Sequence, residues 1–439
     1  MSKKNKALSM FALIVAGEAI FLLPFILIRV FKPIIREAFV VSDAQLGEVQ
    51  AFYGITALIS YFFGGFIADK WEARKLIAIS IFLTGLGGVW MISIPSIFAL
   101  KFLYGFWGVS TILLFWAALI KATRDWGDTH TQGISFGLLD GGRGAFAAAI
   151  ATFGSFIPLL FFPEDISTVT LADKVVTMQY IIGFITVVVL LVSIFVWRTI
   201  PKSQHGHLSF PSNRESTDEK ETDSHLRENN TKVLVNFDAK QVFSLLLKPK
   251  IIFHSIIIVC AYSAYKLTGT YATYARDVWG FSLQDASYFG VAVQWMRPIA
   301  AITIGWIADK YMASKLSLVS FSLMLAASLI LGFGLFEDQA VALSMATFFM
   351  MVIGTYSLRG LYFAIIEEAK TPANLTGTVV GIISVVGFTP DIFMSLLSGY
   401  MLGKDPTIVE YQNLFQLFTI FPLVGLLAVI GFRKVIGNQ

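Results

Sequence analysis

Residues 65–75 read Gly65-Phe-Ile-Ala-Asp69-Lys70-Trp-Glu-Ala-Arg74-Lys75, and residues 305–310 read Gly305-Trp-Ile-Ala-Asp309-Lys310. The second stretch repeats the first half of the first. Each follows a helix-start signal at the same distance, Ser42-x-x-Gln45 in one case and Ser282-x-x-Asp285 in the other. Such a pair can cap the free backbone N–H groups of a first helical turn. Further on, Gly108, Trp116, Gly133 and Gly137 align with Gly354, Tyr362, Gly377 and Gly381. A chain written twice in one pattern predicts two halves of one architecture.

Composition says what solvent those halves meet. Charged residues make up 14% of the 439 residues and apolar ones 56%, against roughly 25% charged in soluble domains. A water-soluble core cannot hide that much apolar side chain. Apolar runs near the ~20 residues needed to cross hydrocarbon recur from end to end. They predict spans near 8–30, 46–67, 75–95, 97–120, 133–160 and 176–198, then 251–275, 284–307, 315–335, 340–364, 375–400 and 412–432. The first run follows Lys3, Lys4 and Lys6 as a signal peptide would, but it is too long and lacks a small-x-small cleavage site, so it reads as a span. The fold class is therefore an all-α membrane protein of twelve helices. Two six-helix bundles, 1–198 and 251–439, are joined by a linker over 199–250. A parallel repeat of this kind relates the bundles by a pseudo-two-fold axis along the membrane normal and forms a substrate site between them near the midplane.

Lysine and arginine set the sidedness. One set of loops carries Lys3, Lys4, Lys6, Lys70, Arg74, Lys75, Lys121, Arg124, Lys310, Lys315, Lys370, Arg433 and Lys434, together with the basic linker; the other carries only Lys32, Arg36, Lys174, Arg276 and Lys404. Both termini and the linker are expected on the cytoplasmic side, and the sequon at Asn374 is dismissed as a glycosylation site for that reason. Residues 202–232 read as disordered, and 237–247 as a short amphipathic helix at the membrane surface. The histidines at 205, 207 and 225 read as solvated linker residues. The single cysteine, Cys260, lies in an apolar run and excludes an intrachain disulfide. The net charge of +4 is accounted for by sidedness and implies no nucleic-acid partner.

An ionisable residue inside a span is costly unless it is paired or faces water, so such residues are candidate sites. The bases are Arg29 (span 1), Lys101 (span 4), Arg143 (span 5), Lys266 (span 7), Arg297 (span 8) and Arg359 (span 10). The acids are Glu18 (span 1), Asp140 (span 5) and Asp391 (span 11). Glu18, Asp391 and Asp140 are the candidate proton carriers, because a carboxyl in apolar surroundings can titrate near neutrality. At ~100° per residue Glu18 and Arg29 share a helix face. Asp140 and Arg143, three apart, either neutralise each other or line the cavity. Arg143, Arg297 and Arg359 have no charged counterpart in the other half, which points to substrate or coupling chemistry. Tyr262, Tyr265, Tyr271, Tyr274, Trp116, Trp295 and Tyr362 either pack or contact substrate, and Tyr262, one turn from Lys266, is the best placed for contact. Lys101 lies at a span end, where it can snorkel. Pro24, Pro298 and Pro390 are expected to kink cavity helices. Gly141, Gly142 and Gly144 permit close helix packing.

The stretch from Gly65 to Lys75 resembles the major facilitator superfamily signature Gly-x-Leu-Ala-Asp-Arg-x-Gly-Arg-Arg, with Glu72 where the family has glycine. The resemblance extends over the chain through span number, repeat and central linker. It implies a charge latch made by Asp69, Arg74 and Lys75, with Gly65 and Asp309 in the two copies of the motif. In that fold spans 3, 6, 9 and 12 are peripheral, and these four are the spans without a charge in their apolar runs. The organophosphate and organic-anion branches look similar at two further points, a base on span 1 and a base on span 7, matched here by Arg29 and Lys266. That resemblance implies that the two hold an anionic head from both bundles. The stretch from Trp116 to Gly144 also resembles bacterial transporters of the YihN type.

The expected function is alternating-access transport of a small organic anion, with protons or a second anion as the coupled species, in a bacterial cytoplasmic (inner) membrane and as a monomer. A drug or cation exporter is the rival; it would show a Gly-Pro pair in span 5 and an acid-dominated cavity. A non-transporting sensor is the third reading. No nucleophile–base or metal-ligand constellation is present, His130 and His254 being isolated, so neither an enzyme nor a cofactor or metal site is expected. Fluorescent-protein fusions to either terminus should fold and fluoresce in the cytoplasm, whereas a periplasmic reporter such as alkaline phosphatase should be inactive there. The opposite result reverses the orientation.

Overall fold

The computed structural model describes residues 3–127, 132–162, 168–201, 247–308, 310–335, 341–361, 365–368 and 383–437. The linker expectations over 202–246, the sequon at 374, and Tyr362, Gly377, Gly381 and Asp309 lie outside the described residues, as does the side chain of Asp69. Eleven described helices are apolar and long enough to cross a membrane. They are α1 (Asn5–Ala38), α3 (Ala73–Met91), α4 (Ile97–Trp126), α5 (Leu138–Phe161), α6 (Leu171–Thr199), α7 (Pro249–Asp277), α8 (Leu283–Ala308), α9 (Ala313–Gly332), α10 (Val341–Leu361), α11 (Ile383–Leu402) and α12 (Ile408–Gly437). The twelfth, α2, runs over Asp43–Lys70. Helix α5 is continuous with the turns that start at Gln132.

The start signals act as read. Ser42 Oγ accepts from the Gln45 amide and the Gln45 side chain answers on the Ser42 amide. Ser282 Oγ takes the Asp285 amide at 3.0 Å. Thr170 with Asp173 and Thr407 with Glu410 make the same box at the starts of α6 and α12. These four helices begin at the end of the protein remote from its termini, here termed the far end.

Helices α1 and α7 are the centre of the protein: the apolar window of each is 78% buried, against 44% in α6 and α9 and 39% in α12. The exposed faces of the outer helices carry Phe82 and Leu86 on α3, Val187 and Leu191 on α6, Val319 on α9 and Leu427 on α12. These are the surfaces that meet lipid. Two seams join the bundles, α2 against α11 and α8 against α5, and the two-fold axis exchanges them. Glycine makes the first seam close. A Cβ on Gly47 would sit 2.4 Å from the Ser395 carbonyl oxygen, and one on Gly399 would sit 2.4 Å from that of Asp43. Across the second seam Trp295 Nε1 donates to Thr152 Oγ1 and Gln284 Nε2 to the Ser155 carbonyl. Among the described residues, these contacts, with the ion pair Arg36–Asp277 and the Tyr400–Glu48 hydrogen bond, join the bundles between the middle of the protein and its far end.

The central helices are irregular near their charges. Helix α1 widens to a π turn over Leu22–Ile26 around Pro24 and kinks again at Phe31, two residues before Pro33. Helix α4 widens over Ser110–Trp116, and α7 tightens to 3₁₀ over Thr268–Thr270 just after Lys266. Pro298 lies inside α8, and Pro390 follows a turn in α11. The far-end charges require one correction. Lys32 and Arg36 belong to α1 and Arg276 to α7, all of which run on past the expected span ends. The buried Lys32 pairs with Asp43, while Arg36 spans Asp43 and Asp277 at 3.2 and 2.6 Å. Apolar periodicity ends where these side chains begin, so a pattern reading stops there although the helix does not.

A bulky residue in the α2–α11 seam should push the bundles apart at the far end. Gly47→Val is expected to raise maleimide labelling of a cysteine placed at Ser395 from outside the membrane; unchanged labelling would show that the seam does not depend on the glycine.

Candidate functional site

Glu18 sits where α1, α5 and α8 meet. Its carboxylate accepts from Arg143 Nε at 3.1 Å and from Arg297 Nη1 at 2.8 Å. Asp140 closes the group, 3.8 Å from Arg143 and 3.5 Å from Arg297. Glycine leaves room for both guanidiniums: a Cβ on Gly17 would meet Arg143 Cδ at 2.9 Å, and one on Gly144 would meet Arg297 Cγ at 3.1 Å. Asp140 and Arg143 are thus both neighbours on one helix and members of a network that crosses between the bundles. The guanidinium of Arg143 also lies 5.6 Å from the Phe21 ring and 5.8 Å from that of Trp116.

The Arg29 side chain goes elsewhere. The π turn between Glu18 and Arg29 adds residues to one turn, so the shared face of a regular helix is lost and the two side chains join different groups. Arg29 Nη1 donates to the Tyr265 hydroxyl at 2.9 Å, and its guanidinium lies 4.2 Å from the centre of that ring. Arg359 lies 3.8 Å from the same ring, within the range of cation–π attraction. Tyr356 packs beside Tyr265 and donates to Gln294 Oε1 at 3.1 Å.

Lys266 forms a third group. Its ammonium is 3.1 Å from Asp391 Oδ1 and 4.4 Å from the Phe25 ring, and Tyr262 donates to both carboxylate oxygens at 3.1 Å. The structure therefore brings Arg29, Arg143, Arg297, Arg359, Lys266, Glu18, Asp140 and Asp391 together between the bundles. It does not join Arg29 and Lys266 into one clamp, because Asp391 occupies the lysine. Trp295 packs in the α5–α8 seam, and Tyr271 and Tyr274 pack in the core of the second bundle. Lys101 binds Glu48 at 2.6 Å.

At the signature loop, Gly65 is open to its surroundings. Arg74 and Lys75 reach Glu72 at 3.2 and 3.4 Å, and Arg74 also stacks on Trp197. The residue that departs from the family pattern thus takes both bases. Pattern reading ranked Tyr265 below Tyr262 and passed over Gln294, Asp43 and Asp277. Tyr265 adjoins Lys266, which was a usable signal; Gln294 is neutral, and a search for charges does not find it.

The Major Facilitator Superfamily model matches residues 14–395. The chain belongs to that superfamily. It is similar to two inner membrane proteins of Escherichia coli. YqcE is 27% identical over 85% of this chain and 82% of its own; YihN is 23% identical over 100% and 98%. Among solved structures, the chain is similar to a bacterial homologue of the human lysosomal transporter Spinster in an inward-facing, unoccupied conformation (TM-score 0.68, 15% identity, 100% of this chain and 98% of that one). It is also similar to a D-xylose-proton symporter (TM-score 0.71, 13% identity, 98% and 96%). This transporter is an integral membrane protein with the twelve-helix fold of the superfamily.

Removing one partner from a buried ion pair costs about 3–5 kcal/mol. Glu18→Gln leaves two arginines to share Asp140 and should lower the melting temperature sharply. The double variant Glu18→Gln/Arg297→Gln keeps Asp140 with Arg143 and should recover part of the loss. A double variant no more stable than the single one would show that the network is not held by charge balance.

Proposed function

We propose that this transporter moves a small organic anion, such as a carboxylate, phosphate ester or sulfonate, across a bacterial cytoplasmic membrane by alternating access, as proton symport or anion exchange. The observation that carries the reading is Arg29. It is 4% exposed, its hydrogen-bond acceptor is the Tyr265 hydroxyl, and no carboxylate within the described residues pairs with it. Among the described residues its Nε has no acceptor, and neither do the buried Arg297 Nε and Gln294 Nε2. Buried donors of this kind call for an explanation, and an acceptor-rich anion supplies one.

Charge balance supports the same reading. Among the described residues between the bundles, four bases, Arg29, Arg143, Lys266 and Arg297, face three acids, Glu18, Asp140 and Asp391. An anion offsets part of that excess, and it is held from both halves: Arg29 comes from the first bundle, and Tyr265 with Arg359 from the second. Its binding draws the bundles together, and its release lets them part. A cation exporter fits less well, because all three carboxylates already have basic partners.

Proteoliposomes should take up labelled organic anions in competition with one another, and Arg29→Gln should reduce uptake to background while the protein remains folded. Uptake of organic cations with no competition from any anion would exclude this reading.

A further inference from the structure

A small polar chamber lies on the far-end side of the site, between α1, α2, α7 and α11. Lys32, Asp43, Gln50, Lys266, Thr270 and Ser395 line it, and it is large enough for a water molecule. Two ion pairs border it. Lys32 with Asp43 stands toward the far end, and Lys266 with Asp391 toward the middle. Ser395 is one turn beyond Asp391 on α11. The Asp43 oxygens are buried and, among the described residues, accept no hydrogen bond beyond their ion pairs. Lys266 is the shared element, since one side chain lines the chamber and holds the carboxylate.

We propose that Asp391 is a proton switch for Lys266, reached by water through this chamber; the proposal rests on the anion reading above and names its coupling device. A proton from water adds to the Asp391 carboxylate and gives a neutral acid. Lys266 keeps its own proton throughout, so the ion pair becomes a free ammonium beside Phe25, between the bundles. One more positive charge is then available to the substrate. Proton and anion bind together because each raises the affinity for the other by the same factor. Loss of the proton restores the Lys266–Asp391 pair and expels the anion. The pairing that removes Lys266 from the anion clamp in this structure is thus one position of the switch.

The ionisable groups facing Asp391 are Lys266 and Tyr262 on α7 and Tyr53 on α2, with Arg359 of α10 in electrostatic reach of Tyr262. Substitution at Asp391 separates its titration from theirs. Thermal-shift titrations of the purified full chain use gluconate, methanesulfonate and sulfate, none of which titrates in the neutral range. Wild-type affinity should rise as pH falls, by up to about tenfold per pH unit for one linked proton. Asp391→Asn should bind at the wild-type low-pH level at every pH. Tyr262→Phe removes a donor that favours the charged carboxylate, so its curve should move to higher pH with the same maximum. Equal pH dependence in wild type and Asp391→Asn, or none in wild type, overturns the switch and leaves the anion reading standing. If no probe binds wild type at any pH, the anion reading falls and the switch falls with it.

Discussion

A carboxylate held by arginines from two different helices, in a place without bulk water, constrains everything around it. Glu18 cannot be buried charged on α1 without Arg143 and Arg297. Arg143 and Arg297 in turn leave positive charge that Asp140 shares. Arg297 belongs to the second bundle and Glu18 to the first, so this charge balance is also a bond between the halves. It has to break and re-form if the halves rock, and a network with two acids and two bases offers alternative pairings for doing so.

The backbone is built to permit that arrangement. Gly17 and Gly144 leave the volume that two guanidiniums need, and Gly47 and Gly399 let α2 and α11 approach to backbone contact at the far end. The same far end carries Arg36 between Asp43 and Asp277. The near half lacks the corresponding glycine seam among the described residues. Among the described residues, the packing thus concentrates closure on one side of the charges.

The fold was legible because lipid imposes long apolar helices and because the halves repeat. The ionisable residues of the spans were legible for the same reason, as exceptions to apolarity. Their pairing was not. Eleven residues of regular helix would align Glu18 with Arg29, but the π turn at Leu22–Ile26 intervenes. The lack of repeat partners for Arg143 and Arg297 suggested substrate contact, whereas both are matched by carboxylates across helix interfaces that no local pattern encodes. Lys32 and Arg36 looked like loop residues because a helix that leaves the apolar layer and stays buried in protein has no hydropathy signature. Tyr265 was outranked by Tyr262 on spacing alone, although the two rings serve different charges, Arg29 in one case and Asp391 in the other.

The central claim is that the buried interface between the bundles binds negative charge. Its most direct measurement is isothermal titration calorimetry of the purified full chain with an organic anion at low pH. The account predicts saturable binding in wild type, absent in Arg29→Gln. Saturable binding of organic cations and not of anions, unchanged in Arg29→Gln, would contradict it.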